Sequence, residues 1–225
     1  MSNSSLVSYT KISPNRTSPR NHKIDTITIH CVAGQCSVET LGDIFANPSR
    51  KASSNYGIGP DGRIGMYVEE KDRSWCSSSG ANDNRAITIE VASDKTHPYA
   101  VKDKAYKALI DLLVDICKRN GIKKLLWEGN KAYIGKVDKQ NMTVHKWFAN
   151  KACPGEYLYS RHGEIAAEVN KRLGVSLSPL EEDLKYLVDK GVINSPEYWK
   201  ASAPKLKNFD LFIHKVVEYI KKIGG

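Results

Sequence analysis

Two short runs constrain the fold of this chain more than any other feature. In residues 23–30, Ile27 and Ile29 face one way while Thr26, Thr28 and His30 face the other. In Ala86-Ile87-Thr88-Ile89-Glu90-Val91 the three branched residues Ile87, Ile89 and Val91 share one face, opposite Thr88 and Glu90. Alternation with a period of two belongs to a strand whose two faces meet different surroundings. Each run therefore predicts a sheet strand with one apolar and one polar face. His30 and Glu90 both fall on the polar face, near the C-terminal end of the strand, where sites are built in α/β sheets.

The rest of the chain supplies the layers around such a sheet. Ser37 can cap a helix in which Val38, Leu41 and Phe45 share a face, stopped at Asn47-Pro48. Residues 56–59 and 63–68, joined by Pro60-Asp61-Gly62, predict a hairpin. An amphipathic helix carries Ala105, Leu109, Leu112, Leu113 and Ile116 and closes at Asn120-Gly121. A polar loop over residues 128–141 leads to a strand at 142–146, and a helix over 156–173 ends at Gly174. Strands alternating with helices predict an α/β fold, a central mostly β-sheet flanked by helices. Residues 1–22 read as a polar arm, 23–174 as the sheet domain, 175–179 as a linker and 180–225 as a small all-helical domain. In that domain Leu180, Leu184, Leu187 and Val188 share a helix face, and Ser195-Pro196 reads as a helix N-cap with Pro in the first position. Leu206, Phe209, Ile213, Val216 and Ile220 recur at three- and four-residue steps as a narrow seam. So few residues make a marginal core, which leaves open a bracket packed on the larger domain.

Charge and cysteine usage narrow the function. No apolar run approaches the roughly 18 residues of a membrane helix, and the first twenty residues hold no apolar signal segment. The expectation is a chain kept in the cytoplasm until it is released. The net charge is +9; residues 175–225, with eight Lys and seven acidic residues, contribute +1 of it. The remaining +8 on residues 1–174 favours a polyanionic partner. No P-loop, helix-turn-helix spacing or ribonucleoprotein box points to nucleic acid. Five cysteines, none in a Cys-x-x-Cys pair, argue against a disulfide scaffold and a zinc ribbon.

His145 stands eight residues before Cys153, which is followed by a Pro154-Gly155 turn. With His30 these make three ligands suited to Zn²⁺ and leave a fourth position for water, as in a catalytic site. A Cys153–His145 nucleophile and base pair is the competing reading. A lone strand-end His or a lone Cys is more often structural, so spacing by itself does not decide.

At these residues the chain resembles the zinc-dependent N-acetylmuramoyl-L-alanine amidases, a family that includes phage lysozyme-type amidases and peptidoglycan recognition proteins. The matching segments are Ile27-Thr28-Ile29-His30, Asn55-Tyr56-Gly57-Ile58-Gly59, Ala86-Ile87-Thr88-Ile89-Glu90, and His145 through Lys151-Ala152-Cys153-Pro154-Gly155. They keep the family's order over about residues 20–173. The resemblance implies the amidase fold and one Zn²⁺ on His30, His145 and Cys153. It implies cleavage of the amide between N-acetylmuramic acid and the L-alanine of the stem peptide, with peptidoglycan as partner. Glu90 takes the general acid–base position; Lys151 and Tyr56 take positions that stabilise the oxyanion. Trp75, Ser77 and Ser78 match a groove-lining, substrate-binding loop, although Cys76 stands where the family often has His. An endolysin or autolysin acting on the cell wall is implied, with anionic wall polymers as further partners. The segment from Gly191 to Trp199 is similar to helical segments of clostridia-like cell-wall enzymes, so the tail is expected to bind the wall or to form a homodimer through its helices. A non-catalytic peptidoglycan-binding protein is the alternative, disfavoured because Cys153 is present. Cys31 and Cys36 flank the first ligand and are left unassigned.

Overall fold

A computed structural model of the chain describes residues 2–176, 178–194, 196–202 and 206–224. It divides into two compact units, Met1–Gly174 and Val175–Gly225.

Three elements open the first unit: β1 (Tyr9–Thr10), β2 (Arg16–Thr17) and β3 (Thr26–Cys31). Helix α1 (Val38–Ala46) follows, its first turn capped by the Ser37 side chain accepting from the Thr40 N–H. The hairpin is shorter than expected, β4 (Tyr56–Ile58) with β5 (Ile64–Met66), and is followed by β6 (Arg73–Ser74) and α2 (Gly80–Arg85). Strand β7 (Ala86–Val91) leads to α3 (Asp103–Asn120), which Gly121 ends in the left-handed conformation at φ +68°. Glycine adopts that conformation without a Cβ clash. The polar loop after α3 contains a 3₁₀ turn at Lys131–Tyr133 and reaches β8 (Met142–Thr143). The strand expected at 142–146 stops there, because the chain turns into a 3₁₀ segment at His145–Trp147. The single helix expected over 156–173 is two, α4 (Gly155–Ser160) and α5 (His162–Arg172), broken at Arg161.

The main sheet runs β1-β5-β4-β7-β3-β8. It is parallel throughout except for the β4–β5 hairpin. In the central pair, β3 and β7, Ile27 faces Ile87, Ile29 faces Ile89 and His30 faces Glu90. The expected alternation is thus realised as two distinct layers. The Ile and Val side chains bury with Leu109, Leu112, Leu113 and Ile116 of α3 and Ile165 and Val169 of α5. On the other face Thr28, Thr143, Asn82 and Ser77 fill the space with a buried hydrogen-bond network. The Asn82 amide donates to Thr28 Oγ1 at 3.0 Å and to Ser77 Oγ at 3.1 Å, and Thr143 Oγ1 donates to Asn82 Oδ1 at 2.9 Å. A polar layer is stable inside a protein only when its members satisfy one another in this way.

Residues 1–22 are not a free arm. β1 extends the sheet beside β5, and β2 pairs with β6 in a second, two-stranded sheet. Arg20 is buried, its guanidinium donating to the carbonyls of Glu70, Asp72, Asp83, Asn84 and Ala86. Ser13 and Asn15 are buried against the carbonyl of Phe45. The segment is polar because it binds backbone carbonyls, not because it is solvated.

The second unit holds α6 (Pro179–Asp189), α7 (Pro196–Ser202) and α8 (Phe209–Ile223). Ser178 and Glu181 form a capping box with Pro179 in the first position of α6. Leu184, Leu187, Phe209, Ile213 and Val217 form its buried core, with Leu180, Val216 and Ile220 partly buried against them. The expected seam changes at its start: Leu206 precedes the helix and is 55% exposed, and Val217 joins the core. Ser195, read as an N-cap, and Leu177 of the expected linker lie outside the described residues.

Candidate active site

His30 reaches the site from the end of β3 and is fully buried on the polar face of the sheet. His145 comes from the turn after β8, and Cys153 from the loop before α4. The loop is tied back on itself where the Lys146 N–H donates to the Cys153 carbonyl at 3.1 Å. Gly155, at φ +77°, lets the chain leave Cys153 under Tyr99, whose side chain would sit 2.6 Å from any Cβ there. As a result His30, His145 and Cys153 present ligand atoms that all lie within 4.8 Å of one another. Cys153 Sγ is 3.3 Å from His30 Nδ1, and the two imidazoles meet edge to face with centroids 5.1 Å apart. Ser78 Oγ lies 2.9 Å from His145 Nε2; in the tautomer whose Nε2–H donates to that hydroxyl, Nδ1 carries the ring's lone pair.

The two imidazoles are held in the state a cation needs. Burial, with His145 beside it, lowers His30 to about 3, so its imidazole is neutral. Burial and the charge of Lys151 lower His145 in the same sense. The hydrogen bond to Cys31 and burial raise the Cys153 thiol. A thiol so placed is protonated at neutral pH unless a cation takes the place of its proton. Two neutral imidazoles and one displaceable thiol are a tetrahedral Zn²⁺ donor set with one position open. The residues present therefore fit a Zn²⁺ ion.

Glu90 lies directly across from His30 in the parallel β3–β7 pair, with Cys76 Sγ 3.8 Å from its Oε1. Burial, with Cys31 nearby, raises its carboxyl to about 8. Lys151 is exposed and lines the same groove as His145. That groove encloses about 460 Å³, and Trp75 and Ser78 also line it. Its floor is fixed by the carboxylate of Asp83, which accepts from the backbone N–H groups of Cys76 at 3.0 Å and Ser77 at 3.1 Å. Ser77 itself is buried beneath the groove. Sequence reasoning missed Asp83, and also Arg50, Lys51 and Arg73, which line the groove with Lys151. Most other arginines of this unit pair with carboxylates, as Arg16, Arg63, Arg85, Arg119 and Arg172 do. Arg50 and Arg73 form no such ion pair among the described residues. The basic excess of residues 1–174 was the available signal for this cluster, but charge alone does not say which lysines and arginines converge.

Tyr56 is the one expected residue that lies elsewhere. It pairs with Ile89, not Glu90, and its ring is buried in the apolar layer with the isoleucines. Its hydroxyl donates to Glu70 Oε1 at 2.7 Å and accepts from the Ser4 N–H at 3.0 Å. The signal was present, since Tyr56 stands two residues before Ile58 and a strand places i and i+2 on one face.

Comparison with known proteins agrees with this architecture. Residues 20–156 match the family model described as N-acetylmuramoyl-L-alanine amidase. Among solved structures, a mutant endolysin from Bacillus subtilis superposes with a TM-score of 0.53 at 19% identity, covering 72% of this chain and 97% of that one. A selenomethionine derivative of AmpD gives 0.51 at 19% identity, covering 72% and 96%. At such identities these likenesses speak to the fold. No curated protein matches the chain in sequence.

Proposed function

Because the chain belongs to the N-acetylmuramoyl-L-alanine amidase family, we propose that it hydrolyses the bond between N-acetylmuramic acid and the L-alanine of the peptidoglycan stem peptide as a zinc enzyme of the endolysin or autolysin kind. The observation that carries this reading is the convergence of His30, His145 and Cys153, with His145 also lining the groove. These three side chains would hold the ion. Zn²⁺ there supplies Lewis acidity, bringing the pKa of a water to about 7 and polarising a carbonyl.

The protein's own groups do the rest. Glu90 takes a proton from the attacking water and returns it to the leaving nitrogen of L-alanine. A carboxyl near 8 can both accept and donate at neutral pH. Lys151, beside His145 at the open groove wall, places a positive charge where the tetrahedral oxygen develops. Ser78 holds the His145 ring through Nε2. Trp75, 36% exposed, offers an aromatic face to the sugar or peptide, anchored by its Nε1–H donating to Thr17 Oγ1 at 3.0 Å. Ser77 supports that wall from beneath. Tyr56 takes no part. The cationic groove suits the carboxylates of stem peptides and anionic wall polymers. The helical unit at Val175–Gly225 retains the enzyme on the wall or pairs it with a second copy, and release to the cell wall brings the chain to its substrate.

A thiol hydrolase built on Cys153 is favoured by its 3.3 Å approach to His30 Nδ1, but the raised thiol runs against a free thiolate nucleophile. Digestion of purified peptidoglycan with mass analysis of the products tests the proposal. Intact glycan strands with new L-alanine amino termini are expected, with activity lost to a chelator and restored by Zn²⁺. Cys153→Ser should lose metal and activity together. Cleavage that survives chelation, or full metal occupancy and rate in Cys153→Ser, would overturn it.

A further inference from the structure

The buried side of His30 carries a second set of donors that the proposed reaction does not use as ligands. Cross-strand neighbours in a parallel sheet stand about 4.8 Å apart with side chains on the same face, so the His30–Glu90 pair brings an imidazole and a carboxylate together by register alone. Cys76 is added from the loop after β6, where Asp83 pins its backbone N–H at 3.0 Å. His30, Cys76 and Glu90 thereby present ligand atoms that all lie within 4.8 Å of one another.

Two further observations point to a ligand. His30 Nε2 and Glu90 Oε2 are both buried and without a hydrogen-bond partner among the described residues. Buried polar atoms are nearly always satisfied, and an ion is one of the few things that satisfies an imidazole nitrogen and a carboxylate oxygen at once. The two ring nitrogens of an imidazole point in different directions, and His30 Nδ1 is already turned to Cys153 at 3.3 Å. Nε2 is thus the ring's remaining donor.

The geometry points to a second, adjacent divalent-cation site formed by His30, Cys76 and Glu90, selective for soft or borderline ions such as Zn²⁺ and Cd²⁺ and inhibitory when filled. Imidazole and thiolate favour these ions over Mg²⁺ or Ca²⁺. Binding displaces to solvent the Cys76 thiol proton, the one ring proton of His30, which then bridges the two ions as an imidazolate, and the Glu90 proton where one is held; no electron transfer is involved. Cys76 lines the groove wall, which gives an ion a route in from solvent. A cation held there occupies the Glu90 carboxylate, so an excess of the metal needed for activity becomes an inhibitor. The inference rests on the assignment of His30, His145 and Cys153 as the first metal site.

Native mass spectrometry of the full chain with rising Zn²⁺, repeated with Cd²⁺, reads the two sites separately from activity. Wild type should take one equivalent and then a weaker second, and the zinc-loaded rate should fall as the second fills. Cys76→Ser should stop at one equivalent and escape the inhibition. Glu90→Gln, which keeps the shape of the carboxylate, should also stop at one equivalent and provides the same reading if the cysteine variant folds poorly. A wild-type protein that never exceeds one equivalent, or a second equivalent that survives either substitution, overturns the second site and leaves the first standing. A protein that takes none overturns the first assignment as well.

Discussion

Replacing Tyr56 with Phe removes one hydroxyl and separates a structural role from a catalytic one. That hydroxyl donates to Glu70 Oε1 at 2.7 Å and accepts from the Ser4 N–H at 3.0 Å. Glu70 is fully buried, its other donors being Arg119 Nη2 at 2.6 Å and Asn120 Nδ2 at 2.9 Å. Tyr56→Phe leaves this buried carboxylate with two side-chain partners and leaves the Ser4 N–H, also buried, with none. Losing a hydrogen bond to a charged acceptor and orphaning a buried donor together cost about 2–4 kcal/mol. At about 2–4 °C per kcal/mol for a unit of this size, the melting midpoint should fall by about 5–15 °C. Thermal unfolding by circular dichroism, with cleavage of a soluble muropeptide well below the midpoint, gives both readings. The expected result is a lower midpoint with an unchanged rate per folded molecule. An unchanged midpoint with a rate reduced tenfold or more would refute the reasoning and return Tyr56 to the site.

Glu90→Gln should retain the first zinc equivalent but slow turnover by about a hundredfold or more, and Lys151→Ala should slow it through the lost positive charge; steady-state rates beside metal content check both. His162 is buried with Nδ1 donating to the Leu158 carbonyl, and burial lowers it to about 4. The unfolded chain therefore binds a proton that the folded one refuses, so stability is lost as pH falls from about 6.5 to about 4, by about 3 kcal/mol. Urea midpoints at pH 6.5 and 4.5 should show this loss, and His162→Gln should reduce it. A chain ending at Gly174 should still bind zinc and cleave a soluble muropeptide, while its lysis of intact cells falls, because retention on the wall raises the local enzyme concentration; a zinc-free or insoluble product would instead make Val175–Gly225 a bracket of the larger unit.

What was legible in the sequence was whatever local geometry dictates. Period-two alternation placed Ile27, Ile29, Ile87 and Ile89 on one face and His30 and Glu90 on the other, because successive strand residues must point to opposite sides. Ser37 and Gly121 marked helix ends because an N-cap acceptor and a left-handed C-terminal residue act within a few residues of themselves. The nearness of His30, His145 and Cys153 was expected only from the pairing of motifs, since no local rule joins residues more than a hundred positions apart.

Tertiary structure alone decided the rest. The first twenty-two residues read as a polar arm, yet Arg20, Ser13 and Asn15 are buried on carbonyls contributed by distant segments. β1 and β2 are two residues long, too short to carry any periodicity. The break between α4 and α5 falls at Arg161, and the nearby Gly163 sits inside the first turn of α5 and not at the break itself. Tyr56 shows the limit most sharply: its place in a motif put it at the reaction, while the strand parity set by Ile58 and the buried Glu70 beneath it put it in the core. Glu70, Asp83 and Cys76 acquire their roles only from the sheet register and the loop that Asp83 holds. Strand order and loop closure bring together groups that no short window of sequence contains, and it is there that the chemistry of the groove is set.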